Sequence, residues 1–481
     1  MAEPYKRQVP EEASRFHPRW SAPPRWQRRG SIRLILAVVV VAALVSNRPV
    51  QTQANSPPPN WPQVGYDAGH SGFNPTETAL NTSNVPKLKL AWEQKVSYAK
   101  GKSINSSTNM VMANGAIYLG INNILYAIST AGCGSGIVTC PAHVLWRATG
   151  LGVMVLDVAV LGQSVYATVQ AVASPQPGSA GFLYAFKSTG CGTSVCKPTW
   201  TAKPNVGGAP SGAVEDSGGL AVTSTTVYLS GNDGVLYAYS SAGCPHSPCQ
   251  PAWTSANLGS IFGAPAVSGD VFVGSQSSGF NTLDAFKPGG CGTPTCQPQW
   301  IVGLNSPTTS PVGAGGKVYV AEYSTNSNSN DVAVIANTCA STFCNVLWRT
   351  KAIVPFINGR AVAGGSLFLT NAGEGLAVYP TTGCANPCSP RWTSSGFDGR
   401  LVLANGVVYG TYTAFGGKAE LNANSTRCAA QTCAQIWNGP LIAYNSGLNF
   451  YSDLIVGGGT LYGYFNDSGA TPGMLHLQAF R

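Results

Sequence analysis

Charge is scarce in this chain. Only 10% of its 481 residues are Asp, Glu, Lys or Arg, with five histidines, so its surface is covered by Ser, Thr, Asn and Gly rather than laced with ion pairs. There is no Cys-x-x-Cys and no Cys-x-x-Cys-His, which removes zinc ribbons, thioredoxin chemistry and attached c-type haem. No Gly-rich loop opens a helix and no Ser or Cys stands in a nucleophile motif, so phosphate cradles and acyl-transfer triads lack their signatures. Helical periodicity is missing after residue 60, and so is any cluster of basic residues. Nucleic-acid recognition needs clustered phosphate-neutralising charge on the folded part, and is excluded on that ground.

The formal charge of +9 is concentrated at the front. Residues 1–33 hold Lys6, Arg7, Arg15, Arg19, Arg25, Arg28, Arg29 and Arg33 against Glu3, Glu11 and Glu12, a net +5 that leaves +4 for all the rest. An apolar run from Leu34 to Val45 follows. It is shorter than the roughly 20 residues of a membrane span but fits the core of a signal peptide. Thr52-Gln53-Ala54 offers small residues for cleavage, and Arg28-Arg29 has the look of a twin-arginine signal. The expected organisation is a basic tail (1–33), a signal-peptide core or short anchor (34–46), a linker (47–60) and one exported domain (61–481), secreted or anchored at the cell envelope by the hydrophobic segment. No Cys precedes Cys133, which excludes a lipoprotein anchor.

What the chain does have is glycine (57), proline (33) and a repeat. Trp92, Trp146, Trp200, Trp253, Trp300, Trp348, Trp392 and Trp437 recur at spacings from 44 to 54 residues, the length of a four-stranded propeller blade. A Val-Tyr-like strand occurs eight times, from Ile117-Tyr118 to Leu461-Tyr462, and an alternating strand follows each, as in Leu183-Tyr184-Ala185-Phe186. In the seventh repeat that strand reads Lys418-Ala419-Glu420-Leu421. The pattern predicts an all-β, eight-bladed propeller of four-stranded antiparallel blades. The chain ends before a Trp strand can follow the first three strands of the eighth blade, so the strand around Trp92 is expected to pair with the C-terminal three and close the ring.

All 14 cysteines fall between the alternating strand and the Trp strand. They pair as Cys133-Cys140, Cys191-Cys196, Cys244-Cys249, Cys291-Cys296, Cys339-Cys344, Cys384-Cys388 and Cys428-Cys433, which predicts seven disulfides across hairpin turns. In the eighth blade the two strands belong to opposite termini, so no hairpin exists to staple. An even cysteine count and an export signal both imply an oxidising compartment. His246 lies between Cys244 and Cys249, but only that repeat has a His there; no metal site is expected.

The opening Asn60-Trp61-Pro62-Gln63, then Asp67-Ala68-Gly69-His70-Ser71-Gly72-Phe73-Asn74-Pro75, with the repeated aromatic-Ala strand, Gly turn and Trp strand, resembles the quinoprotein-like (PQQ-like) propeller repeat family, the scaffold of BamB and of quinoprotein alcohol dehydrogenases. The resemblance covers residues 60 to 481 and implies the architecture. That family's docking motif carries an Asp where Lys187 stands here, and its enzymes place adjacent cysteines and a calcium site beneath pyrroloquinoline quinone. No two cysteines here are adjacent, so no cofactor is expected, quinone with calcium being the enzyme alternative whose motifs are absent.

Propellers bind ligands at the channel mouth, where inner strands begin. Stepping back about eight residues from each Val-Tyr strand gives Asn109, Asp157, Gly219, Pro265, Ser310, Arg360, Arg400 and Asp453. Asn109, Asp157, Arg360, Arg400 and Asp453 are the binding candidates, since Arg suits planar anions; pairing of these charges around a watery mouth is the plainer expectation. Asp67 and His70 are expected to brace the opening segment, and Glu215-Asp216 to sit on a solvated loop. No catalytic residues are assigned. The functional expectation is a non-catalytic binding or scaffolding propeller engaging a cell-envelope protein or glycan. A carbohydrate-active alternative needs Asp157 and Asp453 as paired carboxylates about 5 to 10 Å apart.

Overall fold

The computed structural model describes residues 60–98, 108–171, 181–205, 219–324, 329–351, 357–371, 375–414, 418–440, 451–467 and 473–481. The expected tail, signal core and linker up to residue 59 lie outside the described residues, as do Glu215 and Asp216. Among the described residues no helix is long and apolar enough to cross a membrane.

Eight sheets follow one another along the chain, each built on four antiparallel strands that are taken in chain order in blades 1 to 7. Blade 2 is typical, with strands Met154–Leu161, Ser164–Gln170, Gly181–Lys187 and Trp200–Ala202 from channel to rim. Inner strands of successive blades contact one another around the hub. Blade 8 takes Tyr451–Gly457, Thr460–Asp467 and Met474–Phe480 from the C-terminal end and Leu90–Ser97 from the N-terminal part. Lys89 and Arg481 exchange backbone hydrogen bonds at 3.0 Å in both directions, completing the join.

The repeated residues stand in one row across each sheet. Tyr166, Ala185 and Trp200 are cross-strand neighbours in blade 2, as are Tyr118, Ala127 and Trp146 in blade 1. A small residue between two large rings lets them meet over it; the Tyr166–Trp200 and Tyr118–Trp146 centroids lie 6.0 and 5.9 Å apart. Blade 8 builds the same row from both ends of the domain, with Tyr462, Ala479 and Trp92. In blade 7 the middle residue is Ala423, opposite both Tyr409 and Trp437. The repeat expected at Lys418-Ala419-Glu420-Leu421 is thus three residues too early: that stretch alternates like the others, but it lies at the start of a longer strand, Lys418–Ser425.

Each Trp also packs on the following blade. Trp146 Nε1 donates to the Ser188 carbonyl at 3.0 Å, and its ring presses on Gly190, where a Cβ would come within 2.8 Å of Cδ1. Gly190 has φ +80°, so backbone conformation and close approach both demand glycine.

All seven expected disulfides are formed, with Cα separations from 5.1 to 6.3 Å. They reach beyond their own hairpins. Each cysteine loop lies as a short parallel fifth strand against the outer strand of the preceding blade. Cys196 N donates to Arg147 O at 2.8 Å, for example, and Cys388 N to Arg349 O at 2.8 Å. The loops therefore cover exposed sheet edges as well as stapling turns. Among the described residues no such loop pairs with blade 7's outer strand, Trp437–Asn438; Trp437 Nε1 donates to Leu88 O at 3.2 Å.

Candidate functional site

The opening segment forms the floor of the channel. Its residues bond, in chain order, to the inner strands of all eight blades. Trp61 exchanges backbone bonds with Met112, Val160 N donates to Pro62 O, Val267 N to Ala68 O, Gly313 N to Gly69 O, Val362 N to Ser71 O and Leu403 N to Gly72 O, all between 2.6 and 2.8 Å. Gln63 serves blade 3 with its side chain, accepting from Val222 N at 2.8 Å and donating to Val222 O at 3.1 Å. Asn74 Nδ2 reaches Val456 O of blade 8 at 2.8 Å. One turn of chain thus supplies partners for inner-strand amides that a four-stranded blade leaves without a sheet neighbour.

The coil is tight because Asp67 folds it. Its carboxylate accepts Gly69 N at 3.1 Å, Ser71 N at 3.0 Å and the Ser71 hydroxyl at 2.6 Å. His70, with φ +57°, points Nε2 at Leu220 O, 3.2 Å away. The expected bracing role of both residues is seen directly.

At the opposite, leading ends of the inner strands, Asp157 and Asp453 perform one task in blades 2 and 8. Asp157 accepts Val158 N and, across the blade boundary, Leu220 N, each at 2.8 Å. Asp453 accepts Leu454 N at 2.9 Å and Met110 N of blade 1 at 2.6 Å. Both are buried, and both follow a register shift that turns the side chain toward the next blade. Ser310 Oγ does the same work with Ala264 N at 2.8 Å. A buried carboxylate is tolerable there because amides of two strands compensate it.

Asn109, Ser310, Arg360, Arg400 and Asp453 line one cavity of about 70 Å³, whose floor includes Trp61, Gly65, His70 and Gly72. Asp157, Gly219 and Pro265 are outside its lining. Arg400 Nε lies 3.9 Å from Asp453 Oδ1. The channel at this level is a small polar cup with two guanidinium groups and one carboxylate, able to hold a few waters or a small anion.

That cup does not fit quinone with calcium. Its one carboxylate already accepts two backbone amides, the cysteines lie in rim loops, and sites for ligands of that size need roughly 300 Å³ or more. Among the described residues no three His, Cys, Asp or Glu side chains gather as a metal site. Of the two carboxylates that the carbohydrate-active alternative needs, Asp453 lies in this lining and Asp157 outside it.

One buried charge group went unnoticed in the sequence. Glu322 and Asp331 face each other across two strands of blade 5. Arg349 Nε lies 2.5 Å from Glu322 Oε1, and Asn305 N donates to Oε2 at 2.8 Å. Burial and the Glu322 carboxylate push Asp331 up to about 7. Only strand register brings these residues together, and no spacing in the chain announces it.

No family model matches the chain, and no curated protein matches it. Solved structures do. The computationally designed Ika8 protein aligns at 9% identity over 79% of this chain and 98% of its own, with a TM-score of 0.51. Sqt1 of Saccharomyces cerevisiae aligns at 12% identity over 80% and 98%, with a TM-score of 0.52. BamB from Moraxella catarrhalis aligns at 13% identity over 85% and 96%, with a TM-score of 0.39. At these identities the likeness is one of fold.

Proposed function

We propose that this chain is an exported, non-catalytic binding propeller, built on the quinoprotein-like repeat, that engages a cell-envelope protein at its channel mouth. The observation that carries the reading is the use of the mouth's acidic groups: Asp157 and Asp453 are committed to bracing neighbouring blades, above a floor closed by the opening coil. Arg360 and Arg400 line this cup with Asn109 and Asp453, Arg400 Nε standing 3.9 Å from Asp453 Oδ1, and these guanidinium groups are the ones we assign to recognition. Guanidinium forks suit a carboxylate presented by a partner's loop. Seven disulfides support an oxidising compartment.

A photoreactive residue in place of Asn109 should cross-link one envelope protein, and the paired change Arg360→Ala, Arg400→Ala should abolish that product. Thermal-shift titrations with pyrroloquinoline quinone plus calcium, and with an oligosaccharide panel, run beside it. A quinone-dependent rise in melting temperature overturns the non-catalytic reading, because any ligand of the native state stabilises it. A rise with an oligosaccharide replaces protein by glycan as the ligand.

A further inference from the structure

We propose that the cleft between blades 6 and 7, on the face where the opening coil lies, binds a carboxylate carried on an aromatic or branched apolar body. At five blade boundaries the indole of one blade is covered by a turn glycine of the next: Gly132 on Trp92, Gly190 on Trp146, Gly243 on Trp200, Gly290 on Trp253 and Gly383 on Trp348. Blade 7 departs from this. From Ala423, opposite Trp437, the chain reaches Cys428 in one residue fewer than it takes from Ala185, opposite Trp200, to Cys191, and the turn Ser425-Thr426-Arg427 contains no glycine.

Blade 5 is shortened in the same way, but there the gap is filled. Trp300 Nε1 donates to Asp270 Oδ2 at 3.2 Å, and Asn337 Nδ2 to Ser268 O at 2.8 Å. Blade 6 has the shorter Ser366 where blade 4 has Asp270, each placed two residues before the aromatic of its row. The result is a cavity of about 880 Å³ beside Trp392, within the size range of small-ligand sites. Phe73, Phe368, Trp392 and Leu403 form its apolar wall; Arg391 and Arg427 are its only charged lining residues. Phe368 and Trp392 meet edge to face, with centroids 6.3 Å apart. Flat apolar walls select a ring or branched side chain, and two cations without an acidic neighbour in the lining select an anion, for which the planar guanidinium fits carboxylate.

Two sources share that chemistry: a free aromatic acid and the C-terminal residue of a polypeptide. Saturation-transfer NMR titrations on the full exported chain use N-acetylphenylalanine, its amide, and an acetylated Ala-Ala-Ala-Phe peptide with a free C-terminal carboxylate. The acid should bind at least tenfold more tightly than the amide. Arg391→Ala with Arg427→Ala should erase that preference without shifting the melting temperature, whereas Lys197→Ala, an exposed cation of blade 2 outside both cavities, should leave it intact. A peptide tighter than the free acid assigns the site to a polypeptide terminus; equal affinities assign it to a free acid. No saturable binding of either carboxylate, equal affinity for acid and amide, or binding unaltered by the double substitution overturns the proposal.

Discussion

Removing the Asp67 carboxylate should release the opening coil while leaving the blades in place. Asp67→Ala deletes three acceptor contacts, to Gly69 N, Ser71 N and the Ser71 hydroxyl. Hydrogen bonds to a charged acceptor contribute about 1.5–3 kcal/mol each when measured singly, but three on one carboxylate are not additive. Asp67 is half-buried, so water recovers part of the loss, and the expected cost is about 2–3 kcal/mol. Asp67→Asn keeps an oxygen for the two amides and should recover about half of it. Denaturant unfolding reads the total, and amide exchange reads the mechanism. The amides of Val160, Val267, Gly313, Val362 and Leu403 all donate to coil carbonyls, so they should lose protection together in Asp67→Ala, ahead of the outer strands. If stability stays within about 0.5 kcal/mol of wild type and those five amides remain protected, the coil is not held by Asp67 and the reasoning fails.

Gly190→Ala combines φ +80° with a 2.8 Å approach to Trp146 and should cost about 2–4 kcal/mol. Gly192→Ala, at the same φ with open space around it, should cost only about 1 kcal/mol; equal losses in thermal unfolding would refute the docking argument. The closure also predicts acid lability. Burial raises the Glu93 carboxyl, but hydrogen bonds from His476 and Gln478 and the nearby charges of His476 and Lys95 outweigh it and bring it down to about 2. An acid depressed by folding stabilises above its ordinary value near 4.5 and loses that contribution as pH falls toward 2. The loss should be on the order of 2 kcal/mol after screening by water at this edge, and Glu93→Gln should flatten the melting-temperature profile in that window. Asp331 acts oppositely, since an acid raised to about 7 destabilises as pH climbs from 3.8 through 7; Asp331→Asn should gain stability at pH 8 relative to wild type. Replacing Cys191 and Cys196 by serine frees a short loop and should cost about 2 kcal/mol by chain entropy, with faster exchange at Arg147, whose amide bonds the loop at Ser194.

The ring was legible in the sequence because each blade must solve the same packing problem with residues of the same kind. A row of Tyr or Phe, then Ala or Val, then Trp therefore recurs with the cysteine pairs, and the eighth row had to borrow Trp92. Blade 7 misled for the same reason: Ala419 sits in an alternating strand like the others, and only the pairing with Trp437 selects Ala423. The disulfides were readable as staples but not as edge covers, because their contacts to the preceding blade depend on how blades stack. At the channel, the stepped alignment found Asn109, Arg360, Arg400 and Asp453 on one cavity, yet not that Asp157 serves a boundary instead. The coil's role was hidden for another reason. Its partners run from Met112 to Val456, and no local pattern encodes contacts of such separation.

Residues 60–98 are part of the ring, supplying both the channel floor and the outer strand of blade 8. Complementation tests it directly: a chain of residues 108–481 is exported alone and with residues 60–98 as a separate polypeptide. The larger piece alone should lack a cooperative unfolding transition, and the smaller one should bind it one to one and restore that transition. A larger piece that unfolds cooperatively at the wild-type temperature and ignores residues 60–98 would contradict it.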